Sequence, residues 1–561
     1  MDTSEHKKLN TITGARALVD ALLRESVDHV FGIPGTQNLA ILDALRDTPQ
    51  IRFILTRHEQ GAAFMSYGYA RASGRPSVVT ATEGPGVTNI VTAIGAAFRG
   101  NVPVISICGV QESVMRERDA TQDMDQIPFM RPITKWAYSI PYVEKVQEAV
   151  RKAFRVALTE PQGPTHIEAA GEVLLRQTTP EPIAPAAYRN TVLPVCDPAQ
   201  LDAAWALITK AERPLFVIGH GVMKEHAVAA MEKLADRTGI PVAVLQYSPD
   251  AFPSTHPLAL GPLGRNGFAS ANRAAPEADV IVAIGAHFDV FSTMYKYGIF
   301  SEQAKLIHHS AAPGQIGIVF PVTMGVTGSS ASFIKGLAER AAKDAARKPW
   351  VDVAKARADC DAELQAVLKP DAEPIQPQFV AHMIRKVLPG NGILVVDAGN
   401  GGKHVRSYFK SYEPDTFMCI DDWASVGGSL PIAMGAKLAR PDRPVLCASG
   451  DMGAMCNIGE LETAVRENIP VVYVVFNDQG LGNERAFQNE HFGWRYFAVD
   501  YKNPDFGALA KVFGAHGEQV RRPGDLEGAI RRAFASGKPA VVDVMIDQNT
   551  LAPVVYRPQK E

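Results

Sequence analysis

The sequence contains 561 residues, which at roughly 150 residues per domain indicates three to four domains and excludes a single small binding module. Hydrophobic residues make up 46% of the chain and charged residues 21%, close to the averages for globular proteins, so the chain is neither disordered nor fibrous. The 57 Lys and Arg residues nearly balance the 60 Asp and Glu residues, and the formal net charge is -3. A role in binding nucleic acid or anionic lipid is therefore disfavoured.

The cysteine pattern and the lack of long apolar stretches both indicate a soluble cytoplasmic protein. The N-terminus lacks the apolar core of a signal peptide, and no later stretch reaches the roughly 18 apolar residues of a membrane span. The cysteines include no C-x-x-C pair, so we expect buried thiols in a reducing compartment. They are Cys108, Cys196, Cys360, Cys419, Cys447 and Cys456.

Short apolar runs alternate with helical patterns along the whole chain, which predicts α/β domains with parallel sheets. The first part contains DHVFGIPG, IRFILTRH, SVVTATEGPG and PVISICGV; the middle part RPLFVIGHGV, PVAVLQ and ADVIVAIGAHFD; and the last part GILVVDAGN, RPVLCASGD, PVVYVVFND and PAVVDVMID. Two proline-rich stretches, 177–200 and 369–379, are interpreted as linkers. We therefore predict three consecutive parallel-sheet α/β domains, over 1–180, 195–345 and 372–555.

Two carboxylates follow neighbouring apolar runs in the last part of the chain. Asp451 comes after PVLCASG, and Asp478 comes after PVVYVVFN, with the helical pattern NIGELETAVREN between them. Ligands of open α/β sheets bind beyond the carboxyl ends of the strands, where helix N-termini offer free amides. Such a pair suits a Mg2+ ion bridging a diphosphate. Taken singly, each half is also compatible with an ordinary acidic strand end before a turn.

Together the two halves resemble the thiamine diphosphate motif, which begins with Gly-Asp-Gly and ends 25 to 30 residues later in Asn-Asn. The resemblance implies that Asp451, Asp478 and the main-chain carbonyl of Gly480 bind the metal. It also places the amides of Met452, Gly453 and Ala454 near the diphosphate and makes Gly450 a further cofactor contact. Met452 replaces the second glycine of the motif and Asp478 its final asparagine, and both substitutions keep the chemistry feasible.

Glu59 lies in Thr56-Arg57-His58-Glu59-Gln60-Gly61, where a strand pattern gives way to a helix rich in small residues. Alone, it is a first-turn carboxylate that the helix dipole favours. In the thiamine diphosphate enzymes that resemble acetolactate synthase, the glutamate at this place hydrogen-bonds the pyrimidine ring and controls proton transfer, while the cofactor carries the carbon chemistry. The resemblance makes Glu59 a catalytic residue.

Further motifs extend the resemblance to the acetolactate synthase group over nearly the whole length: FGIPG (31–35), GYARASGRP (68–76), GPGVTN (84–89), PITKWAY (132–138), FPSTHPLALGPLG (252–264) and GGSLPIAMGAKLA (427–439). The resemblance implies pyrimidine-binding, central and diphosphate-binding domains. It also implies a homodimer or homotetramer, with each cofactor between Glu59 of one subunit and Asp451 of another. Val426 is the candidate for the apolar side chain beneath the cofactor. Other implied cofactor contacts are Gly84, Asn89, Asn400, Gly401 and Ala424.

The substrate pocket implied by the resemblance favours ligation of a polar 2-oxo acid over simple decarboxylation. Gln122 matches a glutamine that acetolactate synthases place beside the reacting centre, and the chain lacks the histidines of simple decarboxylases. Asn483, Glu484 and Phe487 stand where that group has apolar Met, Val and Trp. The other expected pocket residues are Pro34, Gly35, Thr36 and Glu83.

Two alternatives stay open: a reaction like that of sulfoacetaldehyde acetyltransferase, which L-G-x-E-[RK] and GPLGRNG resemble, and another thiamine diphosphate lyase or decarboxylase. An anionic substrate could use cationic side chains that are otherwise merely solvated. These are Arg116, Arg118, Lys403, His404 and Arg485.

A second nucleotide cofactor is not expected. Acetolactate synthases often bind FAD through G-A-R-F-D and D-I-D-P turns, which here read Gly285-Ala286-His287-Phe288-Asp289 and Ser310-Ala311-Ala312-Pro313. A lysine typical of the synthases is replaced by Gly171, which favours a catabolic, FAD-independent relative. GHGVMK lacks the third glycine of a dinucleotide fingerprint, so NAD binding is disfavoured. A non-catalytic subunit is disfavoured too, because Glu59 and both aspartates are retained.

Overall fold

The computed structural model describes residues 11–190, 192–293, 298–420 and 423–552. The described residues fall into two compact units. The first comprises the described residues up to 190 with 431–440 and 457–469, and the second comprises the other described residues.

Within residues 11–190, six parallel strands form a sheet in the order β3-β2-β4-β5-β7-β6, and β1 pairs antiparallel with β8. The strands are β1 (Ile12–Thr13), β2 (His29–Gly32), β3 (Arg52–Leu55), β4 (Ser77–Ala81), β5 (Val104–Val110), β6 (Trp136–Ile140), β7 (Thr165–Ala170) and β8 (Gln177–Thr178). The helices are α1 (Gly14–Arg24), α2 (Leu39–Arg46), α3 (Glu59–Ser73), α4 (Pro85–Arg99), α5 (Gln126–Met130), α6 (Val146–Leu158) and α7 (Gly171–Leu175). Every residue of β5 is buried, as expected for a strand covered on both faces.

In the described residues from 192 to 366, a second parallel sheet has the order β11-β10-β9-β12-β13-β14. Its strands are β9 (Pro214–Ile218), β10 (Val242–Leu245), β11 (Ala259–Leu263), β12 (Val280–Ile284), β13 (Lys305–Ser310) and β14 (Met324–Thr327). The helices are α8 (Pro198–Lys210), α9 (His220–Lys224), α10 (Val228–Thr238), α11 (Ala269–Ala274), α12 (Val290–Thr293), α13 (Ser330–Ala341) and α14 (Val353–Ala366).

The described residues after 366 form a third parallel sheet in the order β16-β15-β17-β18-β20-β19. Its strands are β15 (Ile393–Val396), β16 (Phe417–Cys419), β17 (Val445–Gly450), β18 (Val472–Asn477), β19 (His516–Val520) and β20 (Ala540–Met545). The helices are α15 (Pro377–Val387), α16 (Asn400–Tyr408), α17 (Ser429–Ala439), α18 (Asp451–Cys456), α19 (Glu460–Arg466), α20 (Gly482–Phe492), α21 (Phe506–Val512) and α22 (Pro523–Ala535). The predicted architecture of three parallel-sheet α/β domains is confirmed.

Two expectations need correction. The proline-rich stretches are not loops throughout, because α8 begins at Pro198 and α15 at Pro377, where a proline fits the first helical turn without losing a hydrogen bond. All six cysteines are free thiols, but Cys456 is exposed and Cys419 only partly buried, so the expectation of burial is wrong for these two. Among the described residues, no helix combines the length and apolar character needed to cross a membrane.

Candidate active site

A cavity of about 280 Å3 lies in the second unit, where β15, β17 and β18 of the third sheet end side by side. The sequence-predicted residues that line it are Asn400, Gly401, Ala424, Val426, Gly450, Asp451, Met452, Gly453, Asp478, Gly480, Asn483, Glu484 and Phe487. Ala454, which was also predicted to contact the cofactor, is buried and does not line the cavity. The predicted residues converge because the carboxyl ends of parallel strands meet at one edge of a sheet.

Two of the three predicted metal ligands, Asp451 and Gly480, contact the same hydroxyl group, and the third, Asp478, lines the same cavity. The Tyr501 hydroxyl contacts Oδ1 of Asp451 at 2.7 Å and the carbonyl oxygen of Gly480 at 3.0 Å. Asn503 donates to Oδ2 of Asp451 at 2.7 Å, so both oxygens of this carboxylate are oriented. Nothing in the sequence identified Tyr501 or Asn503, which come from the segment after α20.

Burial makes the two aspartates difficult to ionise. Asp451 is 1% exposed and Asp478 8% exposed. Burial raises the pKa of Asp451; burial, followed by the nearby charge of Asp451, raises the pKa of Asp478 to about 7. A divalent cation bound to these oxygens would relieve the repulsion and hold both groups ionised. Among the described residues, no cluster of three or more His, Cys, Asp and Glu side chains is arranged to hold a metal ion.

Asp397, which the sequence analysis did not single out, organises the loops around the cavity. Its fully buried carboxylate accepts hydrogen bonds from the Ala398 amide (2.9 Å), the Gly427 amide (3.0 Å), the Ser429 hydroxyl (3.1 Å) and the Ser449 hydroxyl (2.8 Å). Burial raises its pKa to about 6. The sequence did contain a signal for Asp397, because this acidic residue directly follows the apolar run GILVV.

The loop before α17 presents an apolar side chain to the cavity. Gly427 has a φ of +93°, and a Cβ there would lie 2.3 Å from Cβ of Cys456, so this turn requires glycine. Val426 and Met452 both line the cavity and are 41% and 42% exposed. Two apolar side chains are therefore available to a bound ligand.

Glu59 lies at the start of α3 in the first unit. Its Oε2 accepts a hydrogen bond from Nδ2 of Asn89 at 2.9 Å, which links two residues predicted to contact the cofactor. Just before it, the amides of Arg57 and His58 donate to Oε1 of Glu460 at 3.1 and 3.0 Å. Glu460 therefore fixes the start of the helix that carries Glu59, a role that the sequence analysis missed.

The other pocket residues predicted from the first part of the chain form a second cluster in this unit. Oε2 of the fully buried Glu83 accepts from the Gln111 amide at 2.7 Å, and burial raises the pKa of Glu83 to about 7. Gly84 has a φ of +64°, and a Cβ there would lie 2.8 Å from the carbonyl oxygen of Gln122. A Cβ on Gly35 would lie 2.3 Å from Cβ of Thr82, so Gly35 packs against the residue that precedes Glu83.

The cationic residues predicted to serve an anionic substrate lie in different surroundings. Lys403 lines the cavity and donates to Oδ1 of Asn483 at 2.5 Å. Arg485 forms an ion pair with Asp500, and His404 is buried with its pKa lowered by burial to about 4. Arg116 lies 4.0 Å from Asp123, and Arg118 is exposed.

Three family matches cover consecutive parts of the chain. Residues 12–129 match the thiamine pyrophosphate enzyme N-terminal TPP binding domain, residues 201–337 the central domain, and residues 397–544 the C-terminal TPP binding domain. The chain therefore belongs to the thiamine pyrophosphate enzymes, which use the cofactor also called thiamine diphosphate.

Three named relatives show which enzymes of this family the chain resembles. The chain is 33% identical to a probable acetolactate synthase large subunit of Methanocaldococcus jannaschii, with 97% of this chain and 93% of the relative covered. It is 30% identical to the acetolactate synthase isozyme 1 large subunit of Escherichia coli, with 97% and 95% covered. It is also 29% identical to a sulfoacetaldehyde acetyltransferase of Alcaligenes xylosoxydans xylosoxydans, with 96% and 93% covered. The protein is accordingly a thiamine diphosphate-dependent enzyme of transferase or lyase type that resembles acetolactate synthase.

The residues present fit this cofactor. Two carboxylates and a main-chain carbonyl supply the hard oxygen ligands that Mg2+ prefers, and the start of α16 offers main-chain amides to the same cavity. Asp451, Asp478 and Gly480 would hold the ion, and Asn400 and Gly401 would face the diphosphate.

Proposed function

We propose that this protein is a Mg2+- and thiamine diphosphate-dependent enzyme that cleaves a C–C bond of a polar 2-oxo acid and ligates the fragment to a second carbonyl compound. The observation that carries the proposal is the convergence of Asp451 and Gly480 on the Tyr501 hydroxyl, in a cavity that Asp478 also lines. The chemistry that thiamine diphosphate would supply here is a carbon nucleophile for the substrate carbonyl.

The chain's own residues then have distinct tasks. Glu59, which Asn89 orients, holds or releases a proton at its carboxylate. Gln122 positions the substrate beside Gly84 in the pocket that also includes Pro34, Gly35, Thr36 and Glu83. Val426 supports the bound cofactor, and Met452 excludes water from it; both line the cavity.

Assembly and organisation are part of the same proposal. We propose domain boundaries at 1–180, 195–345 and 372–555, and a homodimer or homotetramer whose active sites need Glu59 and Asp451 of different subunits. Six free thiols agree with a cytoplasmic location, where thiols stay reduced. The proposal that the enzyme is catabolic and FAD-independent rests on His287 and Ser310, which replace an arginine and an aspartate at the positions expected to contact the flavin. The purified enzyme should be colourless, and a stoichiometric flavin absorption spectrum would refute FAD independence.

A second candidate is the conversion of sulfoacetaldehyde and phosphate to acetyl phosphate, with cleavage of the C–S bond and release of sulfite. The polar lining of the cavity by Lys403, Asn483 and Glu484 supports it, as does similarity to an enzyme of that name. Another lyase or decarboxylase reaction is the third possibility.

One NMR experiment distinguishes these reactions. The enzyme with thiamine diphosphate and Mg2+ is incubated with pyruvate alone, and in parallel with sulfoacetaldehyde and phosphate. Acetolactate from pyruvate supports ligation, whereas acetyl phosphate formed only in the second mixture supports the acetyltransferase. No product in either mixture would refute both for these substrates.

A further inference from the structure

Four polar side chains are buried together in the first unit, next to the predicted substrate pocket. Ser106 of β5 pairs with His166 of β7, and Glu168 lies two residues further along β7, so these three side chains share one face of the sheet. Gln126, the first residue of α5, contacts Glu168. All four residues are fully buried. Burying a polar group is costly unless it is hydrogen-bonded, so the contacts within this cluster indicate what it holds in place.

His166 and Glu168 carry opposite charges at neutral pH. Nε2 of His166 lies 3.5 Å from Oε2 of Glu168, and Nδ1 lies 3.0 Å from the Ser106 hydroxyl. Burial acts to lower the pKa of His166, but hydrogen bonds with Cys108 and Glu168 outweigh it and raise the pKa to about 9. Burial acts to raise the pKa of Glu168, but the hydrogen bond and the charge of His166 outweigh it and lower the pKa. Glu168 is therefore an ionised carboxylate, which only accepts hydrogen bonds.

The carboxylate of Glu168 fixes the orientation of the Gln126 amide. Nε2 of Gln126 donates to Oε2 of Glu168 at 2.7 Å. A glutamine amide can exchange its nitrogen and oxygen by rotation, but a carboxylate accepts a hydrogen bond only from the nitrogen. Oε1 of Gln126 therefore faces the other way, where it accepts a hydrogen bond from the main-chain amide of Gly84 at 3.0 Å.

Gly84 forms the turn between β4 and α4, within the predicted substrate pocket. Its φ of +64° and ψ of -107° suit glycine, and α4 has no side-chain cap at its N-terminus. The carbonyl oxygen of Gln122 packs against the same turn, since a Cβ on Gly84 would lie 2.8 Å from it. The segment from Gln122 to Gln126 thus supplies both a predicted substrate contact and the hydrogen bond that holds the turn.

We propose that Gln126, which Glu168 orients, is a positioning residue that fixes the turn at Gly84 and thereby the shape of the substrate pocket. The inference rests on the proposed function for the identity of this pocket. Gln126 acts through the main-chain amide of Gly84. The buried charges of His166 and Glu168 are costly to desolvate, and in return the amide of Gln126 has a single orientation.

The chain offers a matched control in Gln147 of α6, which is 1% exposed. Its Nε2 donates to the carbonyl of Thr179 at 3.1 Å, and its Oε1 accepts from the amide of Glu181 at 2.8 Å. Gln126→Met and Gln147→Met each remove one donor and one acceptor contact of a buried glutamine and keep a side chain of similar size. Both variants should lose stability, but only Gln126→Met should change the pocket.

Hydrogen exchange followed by mass spectrometry tests the contact without turnover. It is measured at the Gly84 amide of the holoenzyme with thiamine diphosphate and Mg2+. Exchange should be roughly two- to tenfold faster in Gln126→Met than in the wild type, which is the factor that one hydrogen bond contributes. Exchange in Gln147→Met should match the wild type. An unchanged rate in Gln126→Met, or an equal increase in both variants, would overturn the proposal.

Kinetics test the consequence for the reaction. For whichever of pyruvate and sulfoacetaldehyde the wild type converts, kcat/KM should fall about tenfold in Gln126→Met, because a displaced turn misaligns the substrate. With pyruvate, a larger share of the decarboxylated substrate should leave as acetaldehyde instead of joining a second pyruvate. This product ratio does not depend on the fraction of folded enzyme, so a merely structural role would leave it unchanged, as expected for Gln147→Met.

An exchange of the two side chains provides a rescue. Gln126→Glu alone places two carboxylates against each other and should share the defects of Gln126→Met. Combined with Glu168→Gln, the introduced amide can donate to the introduced carboxylate, which still accepts from Gly84, so exchange and kcat/KM should return towards wild-type values. Should Gln126→Met fail to fold, this pair decides the question, and a double variant no better than Gln126→Glu would overturn the proposal.

The outcomes separate the positioning role from the proposed reaction. If neither pyruvate nor sulfoacetaldehyde reacts but the Gly84 amide exchanges faster in Gln126→Met alone, the proposed reaction fails and the positioning of the turn stands. If the wild type ligates pyruvate and Gln126→Met does so with the same kcat/KM and product ratio, the reaction stands and the positioning role is refuted.

Discussion

Glu460 offers the sharpest test of how the first unit positions Glu59. Its buried carboxylate accepts hydrogen bonds from the main-chain amides of Arg57 and His58 and from the Thr463 hydroxyl at 2.7 Å. Burial raises the pKa of Glu460, so the neutral form is favoured relative to a free glutamate. A Cβ on Gly61 would lie 2.2 Å from Oε1 of Glu460, so the space between the carboxylate and α3 is already filled.

Replacing Glu460 by alanine removes all three acceptor contacts. A buried donor left without an acceptor costs about 1 to 3 kcal/mol, and two amides lose theirs. Because Arg57 and His58 are themselves exposed, water replaces part of this interaction, and we expect a net loss of about 2 to 4 kcal/mol. For a unit of this size the melting temperature should fall by about 5 to 10 °C.

Glutamine at the same position should be nearly neutral. Its amide oxygen can accept from Arg57 and His58, and its amide nitrogen can donate to the Thr463 hydroxyl. Thermal unfolding followed by circular dichroism, with turnover measured in parallel, compares Glu460→Ala, Glu460→Gln and the control Glu144→Gln at an exposed position of the same unit. Only the alanine variant should lose stability and kcat. An alanine variant that melts within about 2 °C of the wild type with full turnover would refute the role of Glu460.

Three further outcomes are expected. Gly453→Ala places a Cβ 2.6 Å from Oδ2 of Asp397, so we expect thiamine diphosphate to bind at least tenfold more weakly. Calorimetry measures this affinity, and an unchanged value would exclude this turn from the cofactor site. Glu59→Gln should still bind the cofactor yet lose turnover, and full activity of this variant would contradict the assignment. If the protein is a dimer, refolding a mixture of Glu59→Gln and Asp451→Asn subunits should restore up to about a quarter of wild-type activity. Random mixing makes half of the dimers heterodimers, and each heterodimer has one intact site out of two. Burial raises the pKa of Glu83 from 4.5 to about 7, so the stability that Glu83 contributes is complete below pH 4.5 and is lost as the pH rises through 7. The melting temperature of the wild type, relative to that of Glu83→Gln, should therefore fall between pH 4.5 and 7. Parallel pH profiles of the two melting temperatures would refute the shift.

The sequence alone identified the strand-end residues. Asp451, Asp478 and Glu59 each follow a short apolar run and precede a helical pattern, and this local order predicts a position at the carboxyl edge of a parallel sheet. The three-sheet architecture followed from the same alternation. Motif resemblance added the identity of the cofactor, which composition and periodicity could not supply.

Contacts between residues distant in sequence needed the tertiary structure. Tyr501 contacts Asp451 across 50 positions, and Asp397 binds the hydroxyl of Ser449 across 52. The lining of the cavity has the same origin, because Arg265 lies in the loop after β11 and Lys403 lies in α16. A strand or helix pattern reports which face of an element is buried, whereas the partner of a buried polar group depends on how separate elements pack, and only the folded chain decides that.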